Sequence, residues 1–221
     1  MRGAAVAQLP KRPAVLSPQP YISSNLYNAM IAPIAGYGLR GAIWYQGESN
    51  RDRAFQYRTL FPAMITDWRN QWATANAAPV DNKAFPFYYV QIAPFRYGGD
   101  VGQTSELREA QTLAMNLPNT GMAVTMDIGN VDDIHPTNKA EVGRRLSLWA
   151  LARTYGRSDI VYSGPLYRSM KIENNRIHLS FDHAEGGLIS TAGKANHSVT
   201  SRSPAKTASS SPRRRRSKTA R

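Results

Sequence analysis

Three short apolar segments alternate with amphipathic helical patterns along this chain, and that alternation restricts the fold more than any other feature. The segments are residues 39–46, 87–92 (FYYVQI) and 121–126 (GMAVTM). Residues 52–72 place Phe55, Tyr57, Phe61, Met64, Ile65, Trp68 and Trp72 largely at three- and four-residue spacing. That spacing predicts an amphipathic helix, with a kink expected at Pro62. Residues 104–116 read as a second helix with Glu106 and Glu109 near its start. A third begins at Asn138, where Glu141 completes a capping-box-like pair and Val142, Leu146 and Trp149 line one face. An earlier helical pattern runs from Asn25 through Leu26, Met30, Ile31 and Ile34 and stops at Gly36 and Gly38. Strands alternating with helices predict an α/β layered domain with a mainly parallel sheet.

Beyond Gly156 the pattern changes to short alternating segments. KIENNRIHLSF, with Asn174-Asn175 between its halves, predicts a β-hairpin. The expected organisation is an irregular, out-of-frame stretch over 1–16, a partial α/β domain over 17–156, a β-rich segment over 157–189 and a disordered basic tail over 190–221. The tail has almost no large apolar side chains and cannot bury enough surface to offset chain entropy. The formal charge of +13 belongs to the ends. Residues 190–221 hold nine basic and no acidic side chains, whereas 13–189 hold sixteen basic against fifteen acidic. No apolar run approaches the roughly 20 residues of a membrane span. The absence of cysteine excludes disulfides, a thiol nucleophile and thiolate metal sites.

Two concentrated polar stretches follow predicted strands. WYQGESN (44–50) places Gln46, Glu48, Ser49 and Asn50 where desolvation is costly unless something hydrogen-bonds to them. One reading is a turn whose polar side chains bond to backbone; the other makes Asn50, with Gln46, a donor to a developing oxyanion. DIGNVDDIHP (127–136) contains Asp132 and His135 in a D-x-x-H pair. That spacing lets the carboxylate fix one imidazole nitrogen and leaves the other free to take a proton from a serine. The bland alternative is a surface histidine beside a helix-capping aspartate. A metal site of Asp127, Asp132, Asp133 and His135 suits on ligand type, but its carboxylates crowd one loop with a single imidazole, so no metal and no cofactor is expected.

YNAMIAPIAGYGLRGAIWYQGESN and DDIHPTNKAEVGRRLSLWALA resemble the sialate O-acetylesterases of the SGNH hydrolase superfamily. SGPLYRSMKIENNRIHLSFDHAEGGL is similar to the β-rich region that follows the catalytic domain there. The resemblance covers about residues 17–189. It implies a flavodoxin-like three-layer α/β/α hydrolase domain, incomplete here, which removes O-acetyl groups from sugars by Ser-His-Asp chemistry. In that scheme Asp132 orients His135, His135 is the acid–base, Asn50 donates to the oxyanion, and Gln46, Gly47 and Glu48 match the rest of the loop. The partner implied is an O-acetylated sugar, with no membrane and no specific nucleic acid. Resemblance alone implies a secreted or periplasmic setting; MRGAAVAQLPKRP has no signal-peptide core.

The family's nucleophile lies in a G-Q-S-N-like block at the end of the first sheet strand, and no such block occurs here. Ser49 sits in the oxyanion loop, and Ser23 and Ser24 lead into a helix. The expectation is a truncated or frameshifted fragment without its nucleophile. Two other roles stay open: a catalytically inactive carbohydrate-binding remnant, or nucleic-acid binding through the run Arg213–Arg216.

Overall fold

The computed structural model describes residues 22–75 and 85–188. The expected irregular stretch over 1–16 and the basic tail over 190–221 lie outside the described residues. The fold is α/β. Three strands, β1 (Ala42–Trp44), β2 (Phe87–Val90) and β3 (Thr120–Ala123), form one sheet in the order β1-β2-β3. Phe87 N–H donates to Asn119 O and Gln91 N–H to Ala123 O, both at 2.9 Å. The partner numbers rise together, so β2 and β3 are parallel. All four residues of β2 are buried, as a continuous apolar strand in a parallel sheet should be. The helices are α1 (Ala54–Ala75), α2 (Gln103–Leu113) and α3 (Lys139–Trp149).

The chain divides into two compact units, Met1–Phe87 with Val101–Thr120 and Tyr88–Asp100 with Gly121–Arg221. In the first, α1 buries Tyr57, Phe61, Ile65, Arg69 and Trp72, one side chain per turn; Phe55, counted on that face by its spacing, is exposed, and Arg69, not counted, is buried. The helix runs through Pro62 without a break, and Thr66 Oγ1 donates back to Pro62 O at 2.9 Å. Trp44, Phe61, Trp68 and Phe87 form an aromatic cluster, with Trp44 edge-on to Trp68 at 5.6 Å between centroids. Arg69 is buried against backbone: Nε and Nη2 donate to Phe85 O at 3.1 and 2.9 Å, and Nη2 also to Asn119 O at 3.1 Å.

The pattern starting at Asn25 does not make one α-helix. It forms a π-helical turn, Tyr27–Ile31, and then a 3₁₀ turn, Ala32–Ile34. Pro33 has no N–H to continue the α ladder, and Leu26, Met30 and Ile34 are left exposed.

In the second unit, α3 begins as expected: Asn138 Oδ1 accepts the Glu141 N–H at 3.2 Å. The reciprocal half of the capping box is not made, because Glu141 turns its carboxylate to Arg144 and Arg145. Val142, Leu146 and Trp149 are buried. Trp149 lies against Gly121, where an added Cβ would come within 2.3 Å of the indole. The hairpin forms as β4 (Leu166–Glu173) paired antiparallel with β5 (Arg176–Asp182). Asn174 and Asn175, at φ 49° and 61°, supply the two left-handed residues of a type I′ turn.

Candidate active site

WYQGESN leaves β1 at Trp44, whose indole Nε1 donates forward to Gln46 O at 3.3 Å. Gly47 is buried. From Glu48 the chain winds into a 3₁₀ turn, Glu48–Arg53, that feeds directly into α1. Asn50 N–H closes its first turn on Gly47 O at 2.8 Å. The backbone therefore fixes the segment, while the side chains of Glu48 and Asn50 remain partly accessible and Gln46 and Ser49 are exposed. Beneath the turn, burial pushes the Tyr57 phenol well above its ordinary range, and the charge of Glu48 adds to the rise.

DIGNVDDIHP leaves β3 through Thr125, a fully buried residue whose Oγ1 donates to Gln91 O at 3.1 Å. Ile128 and Gly129 N–H turn back onto Thr125 O. Gly129 is pressed against Pro94; a Cβ there would meet the ring at 2.3 Å. Arg96 N–H donates to Val131 O at 2.7 Å. The Asx-type bonds expected of such residues then shape the tip. Asn130 Oδ1 accepts Asp132 N–H at 3.0 Å, and Asp133 Oδ1 accepts His135 N–H at 2.8 Å. Pro136 is buried, and the His135 side chain is 88% exposed.

The two aspartates take different partners. Asp132 Oδ1 lies 3.3 Å from Arg96 Nη2. The carboxylate that approaches the imidazole is that of Asp133, 3.9 Å from Nδ1, outside hydrogen-bond range. Asp127, at the root of the loop, is held in a two-pronged pair by Arg145, with Nη1–Oδ1 at 2.6 Å and Nη2–Oδ2 at 2.7 Å. That pairing holds the Asp127 carboxyl below the usual carboxylate range. Arg145 Nε also reaches Glu141 Oε1 at 2.9 Å, and Nη1 reaches Val124 O at 2.7 Å. Glu141, bonded by both Arg144 and Arg145, is lowered from 4.5 to about 2. Among the described residues no group of three or more His, Cys, Asp or Glu side chains is arranged to hold a metal ion, and no helix is long and apolar enough to cross a membrane.

Sequence reasoning passed over Arg96 and Arg145, and weighed Asp133 only as a metal ligand, not as the carboxylate nearest the imidazole. Arg145 carried a local signal, standing four residues after Glu141 on a helix. Arg96 carried none, since its contact with Asp132 spans two loops.

The family model described as "Carbohydrate esterase, sialic acid-specific acetylesterase" matches residues 16–151. The chain is 35% identical over 185 residues to the sialate O-acetylesterase of Mus musculus, covering 77% of this chain and 34% of that protein. It is 35% identical over 166 residues to the Homo sapiens sialate O-acetylesterase, covering 67% of this chain and 31% of that protein. Its fold is similar to the crystal structure of a carbohydrate acetylesterase from Xanthomonas citri, with a TM-score of 0.64, 43% identity and coverage of 71% of this chain and 35% of that one. The chain thus spans about a third of the length of the relatives it matches. On the family match and these identities, the chain belongs to the sialic acid-specific acetylesterases, a family of carbohydrate esterases.

Proposed function

We propose that this chain carries the acid–base and oxyanion half of an esterase that removes O-acetyl groups from sialic acid or related sugars by Ser-His-Asp chemistry. The observation that supports it is the presence, in one member of this family, of a GESN turn after β1 and a DDIHP loop after β3. Ligands of parallel α/β sheets bind beyond the carboxyl ends of the strands.

In this reading a serine oxygen adds to the acetyl carbonyl carbon while His135 takes the hydroxyl proton. Asp132 holds the opposite ring nitrogen and stabilises the imidazolium. Asn50, with Gln46, donates to the oxyanion, and Gly47 and Glu48 shape the loop that carries them. The ester C–O bond then breaks, His135 returns the proton to the sugar oxygen, and water releases acetate by the same route. Asp132 has to leave Arg96 to do this. Both side chains are exposed, and such a surface pair is worth about 0–1 kcal/mol. No serine of this chain is assigned the attacking role; Ser49, Ser23 and Ser24 are all exposed and outside any strand.

An added nucleophile tests the half that is present. Hydroxylamine attacks the acetyl carbon in place of serine and gives acetohydroxamate and the free sugar alcohol. With an O-acetylated sialic acid, acetohydroxamate is expected to form faster than without protein. His135→Ala and Asn50→Ala should each lower the excess rate about tenfold or more. Equal rates with and without His135 overturn the proposal. Sugar binding by saturation-transfer NMR with no turnover would leave a binding role in its place.

A further inference from the structure

Within the second unit, two side chains of α3 reach carbonyls at the end of β3 and just past it with a matched repeat. Ala123 O points inward to β2, where it accepts Gln91 N–H. The neighbouring carbonyls, at 122 and 124, therefore point outward, away from β2. Trp149 Nε1 donates to Met122 O at 3.1 Å, and Arg145 Nη1 to Val124 O at 2.7 Å. Four helical residues rise about 6 Å and two strand residues about 6.6 Å, so an i, i+4 pair can cap alternate carbonyls of an edge strand.

Arg145 goes further than capping. One guanidinium bonds Val124 O, both oxygens of Asp127 and Glu141 Oε1, with its side chain only 23% exposed. Val124 is the first residue past β3 and Asp127 the root of the His135 loop; Glu141 lies in the first turn of α3, just beyond the loop's other end. That other end is fixed by Asn138, which caps the Glu141 N–H. The loop is thus clamped at both ends onto the first two turns of one helix. Only a planar fork makes the two-pronged bond to Asp127 together with a third and fourth acceptor; a lysine ammonium is a point charge and cannot.

We infer that Arg145 is a positioning residue for the acid–base: by joining Val124, just past β3, to Asp127 and Glu141 it sets the conformation of the loop that presents His135. The inference rests on the proposed role of His135, and the two are separable by experiment.

The test is ¹⁵N relaxation on the full chain carrying Arg145→Lys or Asp127→Asn. Order parameters at residues 128–135 should fall from the roughly 0.85 of rigid backbone to about 0.6 or below, while residues 120–123 and 139–149 keep theirs. The hydroxylamine-dependent rate should fall about tenfold to a hundredfold with the loop. An unchanged loop in both variants overturns the inference. So does an equal loss of order across β3 and α3, which would make Arg145 a general anchor. If Arg145→Lys does not fold, Asp127→Asn decides alone, since it keeps the bonds to Val124 and Glu141. A loosened loop with a rate that His135→Ala does not change leaves the clamp standing and removes the esterase role.

Discussion

Asp132 and Asp133 are adjacent residues of one type, and they end with different partners because their side chains leave the loop in different directions. Asp133 is spent on the backbone of its own turn, a local bond that the sequence pattern Asx-x-His permits. Asp132 meets Arg96, thirty-six positions earlier in the chain, which no local pattern encodes. At Glu141 the consequence is a pH dependence. Its carboxyl titrates lower in the folded chain than its ordinary 4.5, at about 2, so the pairing stabilises the fold at and above pH 4.5. That contribution is lost as pH falls from about 4.5 to about 2, and Asp127 shifts in the same direction. A melting temperature that is level near neutrality and drops across this window is expected, with a smaller drop in Glu141→Gln. Equal drops in both proteins would count against the pairing. Gly121 is a steric requirement. Gly121→Ala drives a methyl into the Trp149 indole, at a contact of 2.3 Å before relaxation. A destabilisation of about 1–3 kcal/mol by denaturant unfolding is the expected result.

Elements follow their local codes where nothing outside competes. The Asn138 cap forms as its sequence predicts, and Asn138→Ala should cost about 1 kcal/mol, read as a shift in the urea midpoint without change of slope. A shift too small to measure would mean that the first turn of α3 is held by other bonds. The Asn174-Asn175 turn also forms as written. Replacing Asn175, at φ 61°, by glycine keeps the hairpin register, because a type I′ turn favours glycine there. The strands are shorter than their apolar runs: β1 keeps 42–44 of 39–46, and β3 ends at Ala123 although apolar residues continue to Met126. The apolar run by itself fixes neither burial nor pairing: Leu39, Ile43, Val124 and Met126 are exposed, and a strand needs a partner, so the ladder ends where the partner turns away. Burial does continue past β2, since Gln91 and Ile92 are buried outside any strand.

For the whole molecule, basic and acidic side chains nearly balance over residues 13–189, so net charge of one sign does not dominate that segment. Long-range polar contacts hold its elements in place. Arg69 joins α1 to the backbone at Phe85 and Asn119, residues sixteen and fifty positions away. Burial lowers its pKa, so the charge sits there at a cost that these bonds offset. Arg69→Met should destabilise by about 2–3 kcal/mol, since buried carbonyls lose a charged donor; a change below about 0.5 kcal/mol would show that water replaces it. The α/β class, the helix faces, the Asn138 cap, the hairpin turn, the two polar loops and the family all follow from the sequence, because each depends on residues a few positions apart or on motif identity. Tertiary structure decided that Asp132 pairs with Arg96, that Arg145 clamps the loop, and that the residues around Met30 stay exposed. Those outcomes depend on which side chains a folded sheet brings together across tens of residues, and no period in the chain records them.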